Sequence, residues 1–163
     1  MPLCRQAGLS SGEITPPEPV IVVHSLGHAV AALKAAAAAG RRVTLLSAPG
    51  AGGYAGAGWF RRLVEAAREA VPAARFSALL DCGDEAGTAL AALRARAEGV
   101  VFTGRADVAR RLADIARQRG ARFETARPAA ALDLGADFFA AEARLVARCA
   151  EVLARAVPPG NRI

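Results

Sequence analysis

Residues 20–47 read VIVVHSLGHAVAALKAAAAAGRRVTLLS, and this stretch decides the fold class. A short apolar run over 20–23 stops at His24-Ser25 and is followed by an alanine-rich segment that ends at Gly40. A second apolar run then begins at Val43. Apolar runs that alternate with helix-length segments are typical of parallel strands buried on both faces. The stretch therefore predicts a strand, a helix and a second strand.

The same alternation continues along the chain. Further apolar runs lie at 76–80 and 100–102, a short strand is predicted at 121–124, and helical patterns lie between these stretches and after the last. Five strands alternating with helices predict an α/β fold, a doubly wound five-stranded parallel sheet in the flavodoxin-like order 2-1-3-4-5. The alternative is a β/α half-barrel that closes by pairing with another chain. A complete eight-stranded barrel is not expected, because that fold needs ~200 residues or more.

Length and composition fit one domain. The chain has 163 residues, and we assign residues 20–157 to a single α/β domain. Residues 1–19 are proline-rich and poor in large apolar groups, which predicts a flexible N-terminal leader, and residues 158–163 form a C-terminal tail. The sequence contains neither a membrane-span pattern nor a secretory signal pattern, so a cytoplasmic location with no membrane partner is the expectation.

Charge and cysteine content argue against two function classes. The net charge is +6, but the arginines are scattered among acids. A nucleic-acid binder more often concentrates basic residues beside aromatics, so nucleic acid is an unlikely partner. The two histidines, even with Asp81 and Cys82, lack a recognised metal-ligand spacing, so no metal is predicted, and any cofactor stays unknown. The three cysteines, Cys4, Cys82 and Cys149, are far apart and show no CxxC spacing. No disulfide framework is therefore predicted.

Polar residues follow the first and third predicted strands. In the order 2-1-3-4-5 the direction of winding reverses between these strands, which places His24-Ser25 beside Asp81-Cys82 in one crevice. A general base held by a carboxylate next to a hydroxyl or thiol is the arrangement used in covalent catalysis. We therefore name His24 and Asp81, with Ser25 and Cys82, as candidate catalytic residues. The alternative is structural: Ser25 caps the helix and Cys82 packs as a small apolar group.

Asp81, followed by Thr103 after the next strand, resembles the pattern of response-regulator receiver domains. In that family an aspartate ends strand 3, a Ser or Thr ends strand 4 and a lysine ends strand 5. Here His24-Ser25 replaces the acidic pair expected after strand 1, and the lysine has no counterpart near Glu124. The resemblance thus implies at most a degenerate receiver-like, non-catalytic regulatory module without aspartyl phosphorylation.

A glycine-rich segment over 48–58 follows the second predicted strand and leads into a helix. Glycines let backbone N–H groups approach a ligand, and a helix amino terminus favours anions. We therefore predict that a small anionic or phosphorylated metabolite binds at the carboxyl ends of the strands. The segment fits neither a Walker loop nor the dinucleotide fingerprint. The candidate ligand-binding residues are Ser47, Gly50, Gly52, Gly53, Tyr54, Thr103, Gly104 and Arg105.

The last helical pattern spans 135–156 and is apolar over a wide stripe. Phe138, Leu145 and Val152 recur at seven-residue spacing, and a second such row runs beside them. One sheet face does not need so wide a stripe. The pattern therefore suggests a homodimer through the 135–156 helix, in an assembly module whose sheet is only a scaffold.

Overall fold

The computed structural model describes residues 18–155, so the predicted tail, the end of the predicted domain and all but two residues of the predicted leader lie outside the described residues. The strands are β1 (Val20–Val23), β2 (Arg42–Ser47), β3 (Arg75–Asp81), β4 (Gly99–Val101), β5 (Arg122–Glu124) and β6 (Leu132–Asp133). The helices are α1 (Leu26–Ala38), α2 (Ala51–Tyr54), α3 (Ala57–Ala70), α4 (Ala86–Arg94), α5 (Ala106–Arg119) and α6 (Glu142–Arg155). A 3₁₀ turn, Leu134–Asp137, follows β6 directly.

The strands form one parallel sheet in the order β5-β4-β3-β2-β1-β6. This confirms the predicted α/β class with a parallel sheet, which has six strands rather than five. The predicted order 2-1-3-4-5 is wrong, because β2 lies between β1 and β3 and pairs with both. From β1 to β5, each crossover places the new strand beside its predecessor on the same side, so the winding never reverses. The flavodoxin-like order that a receiver-like module requires is therefore absent.

The helices form a layer in the same succession as the strands. Helix α1 packs between α6 and α3, and α4 packs against both α3 and α5. Their apolar side chains share one core cluster with alternate strand residues such as Ile21, Leu45 and Leu80. In β/α barrels, neighbouring strands follow one another in chain order and the helices form an outer layer. The succession of strands and helices here is the one that the half-barrel alternative requires.

The other sheet face is also buried, and its apolar cluster includes no helix residue from the part of the chain that the structure describes. A separate apolar cluster consists of five strand residues, none more than 8% exposed, which are Val20, Val22, Leu46, Leu79 and Val101. The Arg122 Nη1 group of β5 lies 3.4 Å from Thr44 Oγ1 of β2. In a flat sheet these strands would be ~14 Å apart, at about 4.8 Å per spacing. The sheet therefore curls towards this inner face, and among the described strands β5 and β6 are not paired with each other.

Three helices end in the same hydrogen-bonded turn. After α1, α4 and α5 a residue in the left-handed region follows the last turn, and two reversed backbone hydrogen bonds close it. Glycine supplies that residue after α1 and α5, as Gly40 and Gly120. After α4 the residue is Arg96, with φ of +61°, the only non-glycine residue with positive φ between residues 18 and 155.

The predicted helix over 135–156 is two elements, which is a correction. Asp133 accepts a hydrogen bond from the Gly135 N–H and starts the 3₁₀ turn, and α6 begins only at Glu142. Phe138 and Phe139 precede α6 and are 45% and 97% exposed. The α6 residues Leu145, Cys149 and Leu153 are buried, and α6 packs on α1. The wide stripe is thus divided between an intramolecular contact and two exposed phenylalanines.

Replacing Leu79 with alanine tests whether the inner face is a packed layer. Leu79 is fully buried in that layer, so Leu79→Ala should lower the free energy of unfolding by about 3 kcal/mol, since the cavity left behind adds to the lost burial. Chemical denaturation measures the change. The matched control is Leu26→Ala, at a side chain that is 44% exposed, with an expected cost of about 0.5 kcal/mol or less. Equally small decreases in the free energy of unfolding for Leu79→Ala and Leu26→Ala would contradict a packed inner face and a curled sheet.

Candidate functional site

His24, directly after β1, forms a hydrogen-bonded pair with Asp133 of β6. The two side chains meet because β6 pairs in parallel with β1, with Asp133 opposite Val22. His24 Nε2 lies 2.7 Å from Asp133 Oδ1, and the same oxygen accepts the Gly135 N–H at 2.8 Å. A Cβ at Gly135 would stand 2.9 Å from His24 Nε2, so only glycine lets the turn approach the ring this closely.

The electrostatics keep Asp133 ionised. Burial alone would raise its pKa, but hydrogen bonds from Gly135 and His24, with the charges of His24 and Arg127, bring the pKa below its usual value. A carboxylate facing Nε2 fixes the proton on that nitrogen of a neutral ring. His24 Nδ1 has no hydrogen-bond partner within residues 18–155, and the side chain is 23% exposed. In its neutral form His24 therefore presents the Nδ1 lone pair, which can accept a proton from a bound molecule, and in its protonated form it carries the charge that lowers the pKa of Asp133.

His28 supports this pair from one helical turn away. Its Nδ1 accepts the backbone N–H of His24 at 3.2 Å, and its own N–H donates to Ser25 Oγ, the N-cap of α1. The ring is 1% exposed and meets the Phe138 ring edge-on, with centroids 5.4 Å apart. Burial, followed by the charge of His24, lowers the pKa of His28, so the ring stays neutral. Its Nε2 is buried without a hydrogen-bond partner among the described residues.

Asp81 does not meet His24, which corrects the predicted crevice, because β2 separates their strands. Instead Asp81 is 4% exposed and pairs with Arg127 from the β5–β6 connection. Its Oδ1 accepts the N–H groups of Gly50 at 3.0 Å and Gly83 at 2.9 Å. Arg127 also donates to the Ser47 carbonyl at 2.9 Å. Asp81 therefore organises backbone at this edge.

Three further candidates serve the backbone or the core in this structure. Ser47 is fully buried, and its hydroxyl accepts the Asp81 N–H and donates to the Ala48 carbonyl. Ser25 caps α1, which is the structural alternative stated for it. Cys82 is 2% exposed, and burial, followed by the nearby acids, raises the pKa of its thiol to about 12. A thiol that stays protonated at neutral pH is a poor nucleophile.

The glycine-rich segment is ordered rather than an open loop. Gly50, with φ of +67°, turns the chain into α2, and Gly52 packs so closely on β3 that a Cβ would lie 2.7 Å from Cys82 Sγ. Gly53 packs beside Glu85, whereas Tyr54 is 72% exposed. The N–H groups at 57–59, in the first turn of α3, have no acceptor within residues 18–155. The free amides thus lie at the end of the segment.

The residues after β4 lie at the same edge. Thr103 is exposed, and its N–H donates to the Gly83 carbonyl at 2.8 Å. Gly104 packs on the Phe102 ring, where a Cβ would lie 2.4 Å from a ring carbon. Arg105 is 81% exposed at its side chain and pairs with Asp107 at 3.1 Å. Thr103 and Arg105 remain accessible from solvent, whereas Gly104 serves close packing.

Sequence reasoning missed Asp133, Gly135 and Arg127. The sequence offered one signal for the first two, an aspartate two residues before a glycine after the apolar Leu132, which is typical of a short capped turn. Within residues 18–155 no three His, Cys, Asp or Glu side chains are grouped so that they could hold a metal ion. None of the helices in that range is both long and apolar enough to cross a membrane.

The comparisons with known proteins bear on the fold alone. No protein-family model matches the chain, and no curated protein matches it. Among solved structures, the chain is similar to the crystal structure of a putative fructose-1,6-biphosphate aldolase from Coccidioides immitis, with a TM-score of 0.54 and 20% sequence identity. The match covers 65% of this chain and 39% of that chain. The chain is thus an α/β domain with an aldolase-like fold that spans well under half of that protein.

The depressed pKa of His28 predicts how stability depends on pH. An unfolded histidine gains a proton as the pH falls through its ordinary pKa of 6.5, whereas folded His28 resists protonation. The contribution of His28 to the free energy of unfolding is therefore fully present above pH 6.5. It is lost as the pH falls below 6.5, by at most about 1.4 kcal/mol per pH unit. His28→Asn keeps an acceptor for the His24 N–H and should flatten the slope between pH 6.5 and 5 in chemical denaturation. An unchanged slope would contradict the neutral buried ring.

Proposed function

We propose that this domain binds a small anionic or phosphorylated metabolite at the carboxyl ends of its strands, and that His24 exchanges a proton with it. The observation that carries the proposal is the His24–Asp133 pair, at 2.7 Å, with a His24 side chain that is 23% exposed and a second ring nitrogen without a partner among residues 18–155. An oriented imidazole with a free lone pair is the usual general acid or base near neutral pH. Asp133 takes the orienting role first assigned to Asp81.

The anion-binding part of the proposal rests on the first turn of α3. Its amides at 57–59 have no acceptor in the described part of the chain, and its N-cap, Gly56, offers no side chain to occupy them. Helix amino termini attract anions through such amides and the helix dipole. The first turn of α3 carries no acidic side chain that would repel an anion. The exposed Tyr54 and Trp59 flank this turn and would contact the body of the ligand.

Two further side chains belong to the proposed site. Thr103 offers a hydroxyl, and Arg105 offers a guanidinium whose pairing with Asp107 is exposed to solvent. Exposed ion pairs contribute little free energy, so Arg105 can exchange Asp107 for a ligand phosphate. The name of the similar aldolase includes a sugar bisphosphate, which belongs to the same ligand class; at 20% identity this is an analogy of fold.

Chemical modification of histidine with diethyl pyrocarbonate tests the proposal, because the chain has only two histidines and His28 is buried. We expect one histidine to be modified rapidly, and we expect this rapid reaction to be absent in His24→Gln. Inorganic phosphate should slow the reaction in the wild type. Ala57→Pro removes one free amide at a helix position that tolerates proline, so it should weaken protection by phosphate. The control is Ala86→Pro at the first residue of α4, which should leave protection unchanged.

Two results would contradict the proposal. Phosphate that leaves the modification rate of His24 unchanged at every concentration would exclude an anion next to the ring. A rate that Asp133→Asn leaves unchanged would remove the orienting role of Asp133, since loss of the carboxylate should alter the protonation and position of the imidazole. Circular dichroism of each variant verifies that it is folded.

The second candidate function is a non-catalytic regulatory or assembly module, a homodimer that uses the surface before α6. The observation that favours it is the pair Phe138 and Phe139, of which Phe139 is 97% exposed. Large exposed aromatic side chains are typical of interface centres.

We expect Phe139→Glu to shift a dimer to a folded monomer in analytical ultracentrifugation, because a buried charge opposes association. Glu151→Ala, at an exposed position on α6, is the control and should keep the wild-type state. A wild-type protein that is already monomeric at micromolar concentration would exclude this candidate.

A further inference from the structure

Two adjoining cavities lie at the other end of the sheet, where the strands begin. The larger, of about 510 Å³, opens between the connections that precede β4 and β5. The smaller, of about 190 Å³, lies between α3, β3 and the segment that follows α4. Residues 96–98 line both. We propose that these cavities form one ligand site, separate from the His24 site, that takes an anion with a single-ring apolar body.

The larger cavity favours an anion. Arg96 and Arg119 both line it, and neither forms an ion pair with any residue between 18 and 155. The acid in its wall, Glu98, is paired with Arg68. Gln118 and the backbone at 120–121 supply further polar groups. Two unpaired guanidinium groups beside one neutralised carboxylate leave a local positive charge, and guanidinium groups bind carboxylates and phosphates in a forked geometry.

The smaller cavity sets the size of the apolar body. Phe60 and Val64 of α3 line it together with Ala78 of β3 and give it one apolar wall. Its charged lining residues on α3, Arg61 and Glu65, are paired with each other. A cavity of ~150 Å³ accommodates benzene. The smaller cavity, at about 190 Å³, therefore has room for one ring, and the shared wall at 96–98 would place the anionic group of that ligand in the larger cavity.

The backbone of Arg96 is an independent argument for function. The turns that end α1, α4 and α5 have the same hydrogen bonds, and two of them place glycine in the left-handed position. After α4 that position holds Arg96, which adopts a conformation that side chains disfavour. Stability alone would favour glycine there, as in the other two turns. A strained arginine that lines both cavities is expected where the guanidinium has a ligand.

Titration with phenyl phosphate, followed by two-dimensional ¹H–¹⁵N NMR, tests the site. We expect saturable shifts of the Ala97 and Gly120 amides, and binding at least about tenfold weaker in Arg96→Gln and in Arg119→Gln, since each removes a charged hydrogen bond. The control is Arg111→Gln, an exposed residue of α5 outside both cavities, which should bind as the wild type does. Inorganic phosphate and benzyl alcohol alone should each bind more weakly than phenyl phosphate.

Two variants separate the ligand's role from that of the fold. Arg96→Gly should raise the midpoint of thermal unfolding, because glycine relieves the strain, and should weaken binding of phenyl phosphate. Ala97→Phe narrows the smaller cavity and should abolish the advantage of phenyl phosphate over inorganic phosphate.

The proposal is overturned if Arg96→Gly binds as the wild type does, or if Arg111→Gln loses as much affinity as Arg119→Gln. Shifts confined to the amides at 57–59 would also overturn it, because the anion would then occupy the carboxyl edge alone.

Discussion

The ion pair between buried Asp81 and half-buried Arg127 is the constraint on which the carboxyl edge depends. Asp81 accepts N–H groups from Gly50 and Gly83, which start the segments after β2 and β3. Arg127 comes from the β5–β6 connection, the one crossover between sheet strands without a helix, and its guanidinium also binds the Ser47 carbonyl. Breaking a buried pair leaves an uncompensated charge, so these contacts are made together or lost together. The pair therefore fixes where the chain enters β6, and with it the position of Asp133.

The strands could be predicted from the sequence, but their order could not. Apolar runs such as 20–23 and 76–80 report burial on both faces, and burial is the same in a doubly wound sheet and in a curled one. The order depends on the side to which each new strand is added, and the sequence of a single crossover does not record that choice. A strand as short as β6, which has two residues, is also too short to produce a recognisable apolar pattern in the sequence.

The candidate site was predictable in place but not in its pairing. Polar residues do collect after the strands, as His24 and Asp81 show, yet the carboxylate that His24 meets comes from a residue 109 positions away. Ser25, Ser47 and Asp81 instead satisfy backbone N–H groups that the ends of strands and starts of helices leave unpaired. A single sequence cannot separate the two roles, because the same side chains suit both.

The position of β1 between β2 and β6 governs the order in which surfaces become covered as the chain is made. Strands β1 to β5 can assemble outward in sequence, each beside the one before it. Among residues 18–155, the partners of one edge of β1 and of the face of α1 that contacts α6 are supplied only when residues 132–155 emerge from the ribosome. A nascent chain that ends before residue 132 therefore exposes an unpaired strand edge and an apolar helix face, the surfaces that chaperones bind and that promote aggregation.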